Sequence, residues 1–499
     1  MGAVFATLRK AMGKGRAARR EDIVSVYEGD VKGEAVVEEA EHVQNTVADA
    51  MQRQAEERHG FMRALELVME VAVPRADEED MEDDEGAVDA WLQREVTHGK
   101  FEDALLRAGA SVGMGRDGFN AYVVRMAPKV IRDRYISLLT WMTCTRHFPP
   151  EFREWKCVLA MKKGEDPRLV HRRRDLWMVP HAQKMIARVI GREYDRAAEA
   201  SVNGSQGGFT KNRDAPAMHI PLNIQRQICA EMGTGLYRAW VDLGQFFPTV
   251  VREVQWRVEQ RMGVAPAASV VMNALHEGAV GMTRTAHGET RPWALDLGLG
   301  QGCVNAAHRA KLQVQLIQGA IEALVGGFDF AAGGGRAGES MVPSVWFADD
   351  GAMMSDTMFG IQTALDTCYW VTRIAGLNMI IKGKAKTAWQ GRCYVNGVPA
   401  DVKGVELRLP NGDVVPQLVG EEAYVHLGFE EGGSEEGAAA VVRKTERRCI
   451  QAIAMVGSIR GLTMTQTESA IGMATEGAIG YYGRAVLISG CACARIDRA

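Results

Sequence analysis

The sequence predicts an α+β fold, on three observations. A short apolar run, 236–241, stops at Asp242; two apolar arms, 342–347 and 351–354, flank Asp349-Asp350 as the strands of a hairpin would; long stretches in helical spacing separate these runs. At 499 residues the chain exceeds the size at which one core usually keeps growing, so two to four subdomains are expected. With 46% hydrophobic and 24% charged residues it falls in the globular range, which excludes a disordered or collagenous chain. No apolar run is long enough to span a bilayer, so no membrane partner is expected.

Val36, Ala40, Val43, Val47 and Met51 recur at helical steps, which predicts one amphipathic helix in an N-terminal extension, 1–73. The acidic run from Asp77 to Glu85 repels itself and predicts a linker, 74–90. A second region, 91–235, opens near Trp91, turns at Gly115-Arg116-Asp117-Gly118 and continues as a helix over 122–142. Residues 155–161 then suit a strand, 184–200 a helix, and 204–213 a glycine-punctuated loop. A third region, 236–430, holds the strand that delivers Asp242 at its exit, a Gly300-Gln301-Gly302 turn, helices at 307–325 and 361–375, and a hairpin around Asn411-Gly412. The remainder, 431–499, is chiefly helical in pattern from Ala438.

The net charge of −4 does not itself suggest a nucleic-acid partner, but Lys162-Lys163 and Arg172-Arg173-Arg174 concentrate positive charge ahead of Asp242. Nine cysteines, none in a Cys-x-x-Cys pair, argue against zinc and suit a reducing, intracellular compartment, nucleus or cytoplasm. The first twenty residues carry six Lys/Arg and no acid, a pattern shared by organelle transit peptides and by basic solvated arms.

Three carboxylates, Asp242, Asp349 and Asp350, form a set of hard oxygen ligands that two divalent cations could share. Each has a plainer explanation: Asp-Asp-Gly favours solvent-facing turns, Asp242 could cap a helix, and Phe247 could be core.

These residues lie among motifs that, over roughly residues 100–470, resemble a reverse transcriptase of the non-LTR retrotransposon and group II intron type. Gly115-Arg116-Asp117-Gly118 and the 155–163 stretch resemble its fingers motifs, as do Arg174-Asp175-Leu176-Trp177-Met178-Val179-Pro180 with Lys184, and Gln206-Gly207-Gly208-Phe209 with Arg213. The segment 242–250, Gly300-Gln301-Gly302-Cys303 and Phe347-Ala348-Asp349-Asp350 resemble the first three palm motifs. Gly376-Leu377 with Lys386-Thr387 resembles the fourth, and Tyr424-Val425-His426-Leu427-Gly428 the primer grip.

The resemblance implies a right-hand polymerase: fingers at 91–235, an antiparallel palm with helices at 236–430, and a helical thumb at 431–499. It implies RNA-directed DNA synthesis on an RNA template with a DNA primer, dNTPs and two Mg²⁺, or Mn²⁺ in their place. Asp242 and Asp349 would be the principal metal ligands, with Asp350 and the Leu243 carbonyl completing the shell. Phe247 would stand against the sugar and exclude a 2′-hydroxyl; Gln301 and Gly302 would position the nucleotide. Arg174, with Lys162 or Lys163, would hold the triphosphate, and Lys386 would protonate the leaving pyrophosphate. Pro248, Asp175-Leu176 and Ala306-Ala307 depart from the family pattern, so a catalytically impaired protein that binds RNA or hybrid is the alternative. No endonuclease motif is visible, which leaves a separate nicking protein or a longer element as its source.

Overall fold

Residues 85–109, 114–160, 174–285, 288–290, 292–300, 302–325, 327–330, 341–381, 386–395, 398–419, 422–427 and 429–432 are described in the computed structural model, with isolated positions at 65–70 and 440–454. The helix expected over 36–51, the acidic run before Glu85, Lys162, Lys163, Gln301, the terminal cysteines and most of 431–499 lie outside the described residues.

Helices α1 (Glu85–Glu95), α2 (His98–Arg107), α3 (Ala121–Met126) and α4 (Lys129–Thr145) come first. The last residues of the stretch expected as a linker, 85–90, are therefore helical. The single helix expected over 122–142 is broken in two, because Pro128 lacks an N–H and disfavours helix at Ala127. Asn120 caps α3 by accepting the Val123 N–H at 3.0 Å. Strands β1 (Glu154–Ala160) and β2 (Arg174–Met178) precede α5 (His181–Ser201) and α6 (Ala215–Met232), the latter capped by Asp214 and stopped by left-handed Gly233.

Strand β3 (Leu236–Gly244) leads through α7 (Phe246–Thr249), α8 (Arg252–Arg261) and α9 (Pro266–His276) to β4 (Val280–Thr285), β5 (Gly288–Glu289) and β6 (Trp293–Ala294). After α10 (Ala306–Leu324) and the short pair β7 (Phe328–Asp329) and β8 (Met341–Val342) comes the hairpin β9 (Ser344–Phe347) and β10 (Asp350–Ser355). Then follow α11 (Met358–Ile374), β11 (Asn378–Met379), β12 (Ala388–Val395), β13 (Val398–Asp401), β14 (Leu407–Arg408), β15 (Val414–Val415), β16 (Ala423–His426) and β17 (Phe429–Gly432).

The protein is a mixed α and β structure whose larger sheet is antiparallel, ordered β13-β12-β3-β10-β9 with β11 also on β3. Alternation along β3 sorts its side chains. Ala239, Val241 and Leu243 join Met353 in the main core; Leu236 and Trp240 join Ala352, Met354 and Tyr424 in a second cluster on the opposite face. Asp242, two residues beyond Trp240, follows the second face. The smaller sheet, β2-β1-β4-β5 with β6 on β4, contains the parallel pair β1–β4. Strands from 154–178 thus pair with strands from 280–294, and the division expected at 235 is crossed by this sheet. No described helix is long and apolar enough to cross a membrane.

Candidate active site

Asp242 and Asp350 sit opposite each other in the β3–β10 ladder, and Asp350 also pairs with Phe347 across the hairpin. The turn between Phe347 and Asp350 is therefore two residues, Ala348 and Asp349, with Ala348 at a left-handed φ of 57°. Asp242 does not end its strand. Two further residues, Leu243 and Gly244, pair with β11, so the carboxylate projects from within the sheet. The Leu243 side chain is buried in the main core.

Lys386 donates to Asp242 Oδ2 at 2.8 Å, and the Thr387 hydroxyl accepts the Asp242 N–H at 3.2 Å. The strand bearing Asp242 is thus braced from the 386–387 segment, which itself is tied back by the Thr387 N–H to the Ile380 carbonyl at 2.8 Å. Burial pushes the Asp350 carboxyl up to about 7, helped by the negative charges of Asp349 and Asp242 and opposed by Lys386. Tyr424 lies in the same field: burial, then Asp350 and Asp242, raise its phenol far above the usual value. Its ring stacks on Trp240 at 5.0 Å, which seats β16 against the carboxylate face of β3.

The loop 204–213 docks on the edge of β9. The Gly207 N–H donates to the Trp346 carbonyl and the Trp346 N–H to the Ser205 carbonyl, each at 2.8 Å. Gly208 has no room for a side chain: a Cβ there would collide with the Ala348 nitrogen, at the hairpin turn. Beside it, Phe209 meets Phe247 edge-on with ring centroids 6.3 Å apart. Phe247 is held in turn by the Leu299 N–H, which donates to its carbonyl at 2.8 Å.

Gly302, at φ 109°, makes its close approach to protein: a Cβ there would lie 2.5 Å from the Trp177 carbonyl oxygen. That packing gives the glycine a structural reason of its own, beside the nucleotide-positioning role the resemblance implies. Gly300 packs similarly on the Trp155 ring, so this turn lies against β1 and β2 of the smaller sheet. Of the expected triphosphate ligands, Lys162 and Lys163 lie outside the described residues, as does Gln301, and Arg174 is described only as the strand partner of Ala160.

Asp117, which the sequence places in a turn and in a fingers-like motif, accepts the His181 N–H at 2.6 Å and caps α5. Two buried ion clusters had no local signal. Glu259 accepts from Gln255 at 2.9 Å, Ser269 at 3.1 Å and Tyr194 at 3.2 Å, and pairs with the fully buried Arg309. Glu431 pairs with His219 and Arg226 at 2.9 Å and with Arg238 at 3.4 Å. Burial favours protonation of Glu431, but the His219 hydrogen bond and the two guanidinium charges outweigh it and hold the carboxyl at about 2. His426, buried beside them, is pushed down to about 3 by burial and by His219. Their partners lie up to 212 residues apart in sequence, beyond any spacing rule.

The donor chemistry of Asp242, Asp349 and Asp350 fits hard divalent cations, and the Asp350 carboxyl, raised first by burial and then by its two carboxylate neighbours, is one whose charge a cation would favour. Convergence is not preformed: among the described residues no group of three or more His, Cys, Asp or Glu is arranged to hold a metal ion. Lys386 supplies the positive charge that Asp242 receives. In comparison with known proteins, no family model and no curated protein matches this chain.

Proposed function

We propose that the chain is an RNA-directed DNA polymerase of a retroelement, built as a right hand, that adds dNTPs to a primer 3′-hydroxyl. The observation that carries this reading is the direct pairing of Asp242 with Asp350 across two antiparallel strands, with Asp349 in the adjoining two-residue turn. Asp242, Asp349, Asp350 and the Leu243 carbonyl would hold Mg²⁺, which when bound supplies charge neutralisation and a more acidic attacking hydroxyl.

The chain's own residues would do the rest. Lys386, released from Asp242, has a proton to give at the leaving pyrophosphate, and its ammonium is within reach of the carboxylate site. Phe247 presents a half-buried ring at the exit of β3, where bulk excludes a ribose 2′-hydroxyl. Tyr424, seated on Trp240 beside the carboxylates, holds the β16–β17 hairpin close to them, which supports a primer-grip role for it in this reading. RNA template and DNA primer are the partners of this reading, and salt-dependent binding accompanies it.

A second reading, an RNA- or hybrid-binding protein without chemistry, is favoured by the Lys386–Asp242 ion pair and by carboxylates that do not converge. Extension of an oligo(dT) primer on poly(rA) with dTTP and Mg²⁺ separates the two. Product from wild type and none from Asp349→Ala supports the enzyme; equal absence of product from both supports the binding protein.

A further inference from the structure

Phe209 is a large aromatic residue in an unfavourable place. It has a left-handed φ of 56°, rarely adopted by residues with a bulky side chain, and its surface is 46% exposed. A ring so exposed contributes little to the core. The loop around it is nevertheless braced at many points. The Gly208 N–H donates to Gln206 Oε1 at 2.8 Å, the Thr210 N–H to the Gly207 carbonyl at 3.2 Å, and Arg213 to the Gln206 carbonyl at 2.6 Å. Backbone strain persists where surrounding structure over-determines it, and such positions concentrate at functional sites.

The brace fixes the Phe209 ring against one neighbour. Phe247 is flanked by two rings: the core residue Phe246 at 5.6 Å and Phe209 at 6.3 Å, both edge-on. Phe246 is buried in the main core, whereas Phe209 approaches the Phe247 ring from the 204–213 loop. Because Gly208 abuts the Ala348 nitrogen, the same loop ties the Phe247 ring to the turn that carries Asp349.

We propose that Phe209 is a specificity-determining positioning residue: its ring locks Phe247 in the orientation that rejects a ribonucleotide's 2′-hydroxyl. This rests on the polymerase reading. Without the Phe209 edge, Phe247 keeps its bulk but gains rotamer freedom, so ribonucleotides enter while deoxynucleotides are handled as before.

The test is single-nucleotide incorporation by full-length protein, comparing kcat/KM for dTTP and UTP opposite an RNA template. Phe209→Ala lowers the dTTP/UTP preference about two- to tenfold, the rate equivalent of one edge-to-face ring pair. The change falls in the KM for UTP, and kcat for dTTP stays within about twofold. Phe209→Tyr, which keeps the ring edge, retains the preference; Phe209→Leu, which keeps apolar bulk alone, does not. An unchanged preference in Phe209→Ala, or parallel loss of both activities in all three variants, overturns the proposal while leaving the polymerase reading intact. Absence of incorporation by the wild type overturns both.

Discussion

The Asp350 carboxyl, raised to about 7 by burial and by Asp349 and Asp242, ties the carboxylate pair to folding stability. In the unfolded chain the same group titrates near 4, so between about pH 4 and 7 the folded state holds the proton more tightly. Its contribution is fully present below about pH 4 and is lost as pH rises through about 7. Asp350→Asn is therefore expected to be more stable than wild type at pH 8 by about 1–3 kcal/mol, with no advantage at pH 3.5, in urea melts without added metal. Equal stability at both values would show that burial and the neighbouring carboxylates do not raise this carboxyl. Asp349-Asp350 was legible in the sequence as a hairpin tip, and Asp242 as a strand residue. Their pairing was not, because register depends on strands a hundred residues apart and on β11, too short to carry a sequence pattern.

At the scale of elements, the β9–β10 hairpin is held from outside by the 204–213 loop, and Gly208 is the point of closest approach. Gly208→Ala is expected to shift the Ala348-Asp349 turn and lower primer extension about 100-fold, the usual effect of moving a reacting group by an ångström. The same clash should lower stability by about 1–3 kcal/mol, so extension is compared at a temperature where both proteins are folded. Activity within twofold of wild type would mean that the loop does not set the turn. Both glycine clusters, 206–208 and 300–302, were legible in the sequence. A glycine's need for space is visible in sequence; what takes the space, here the Trp177 main chain, is not. The helix expected over 122–142 shows the same limit, since apolar spacing continued through Pro128 and concealed the break.

Over the whole molecule, one main core runs from Leu65 to Val415, so 91–235 and 236–430 fold as a joined body, with β1 and β4 as neighbours. Sequence gave an order of segments but could not show β4 leaving its own region, because parallel pairing has no local turn to mark it. Two buried carboxylates, Glu259 and Glu431, fasten this body. Glu259→Gln leaves Arg309 charged and buried and should cost about 3–5 kcal/mol in urea denaturation. Because the Glu431 carboxyl is held at about 2, its stabilisation is present above about pH 4.5 and is lost as pH falls toward 2; Glu431→Gln should remove that acid dependence. The central claim is that the Asp242–Asp350 pair belongs to a polymerase. Primer extension on an RNA template with dNTPs and Mg²⁺, run beside primer-template binding, tests it most directly: wild type should extend, and Asp242→Asn should bind equally but extend at least about 1000-fold more slowly. Binding by both proteins with no extension by either, or equal extension by both, would contradict it.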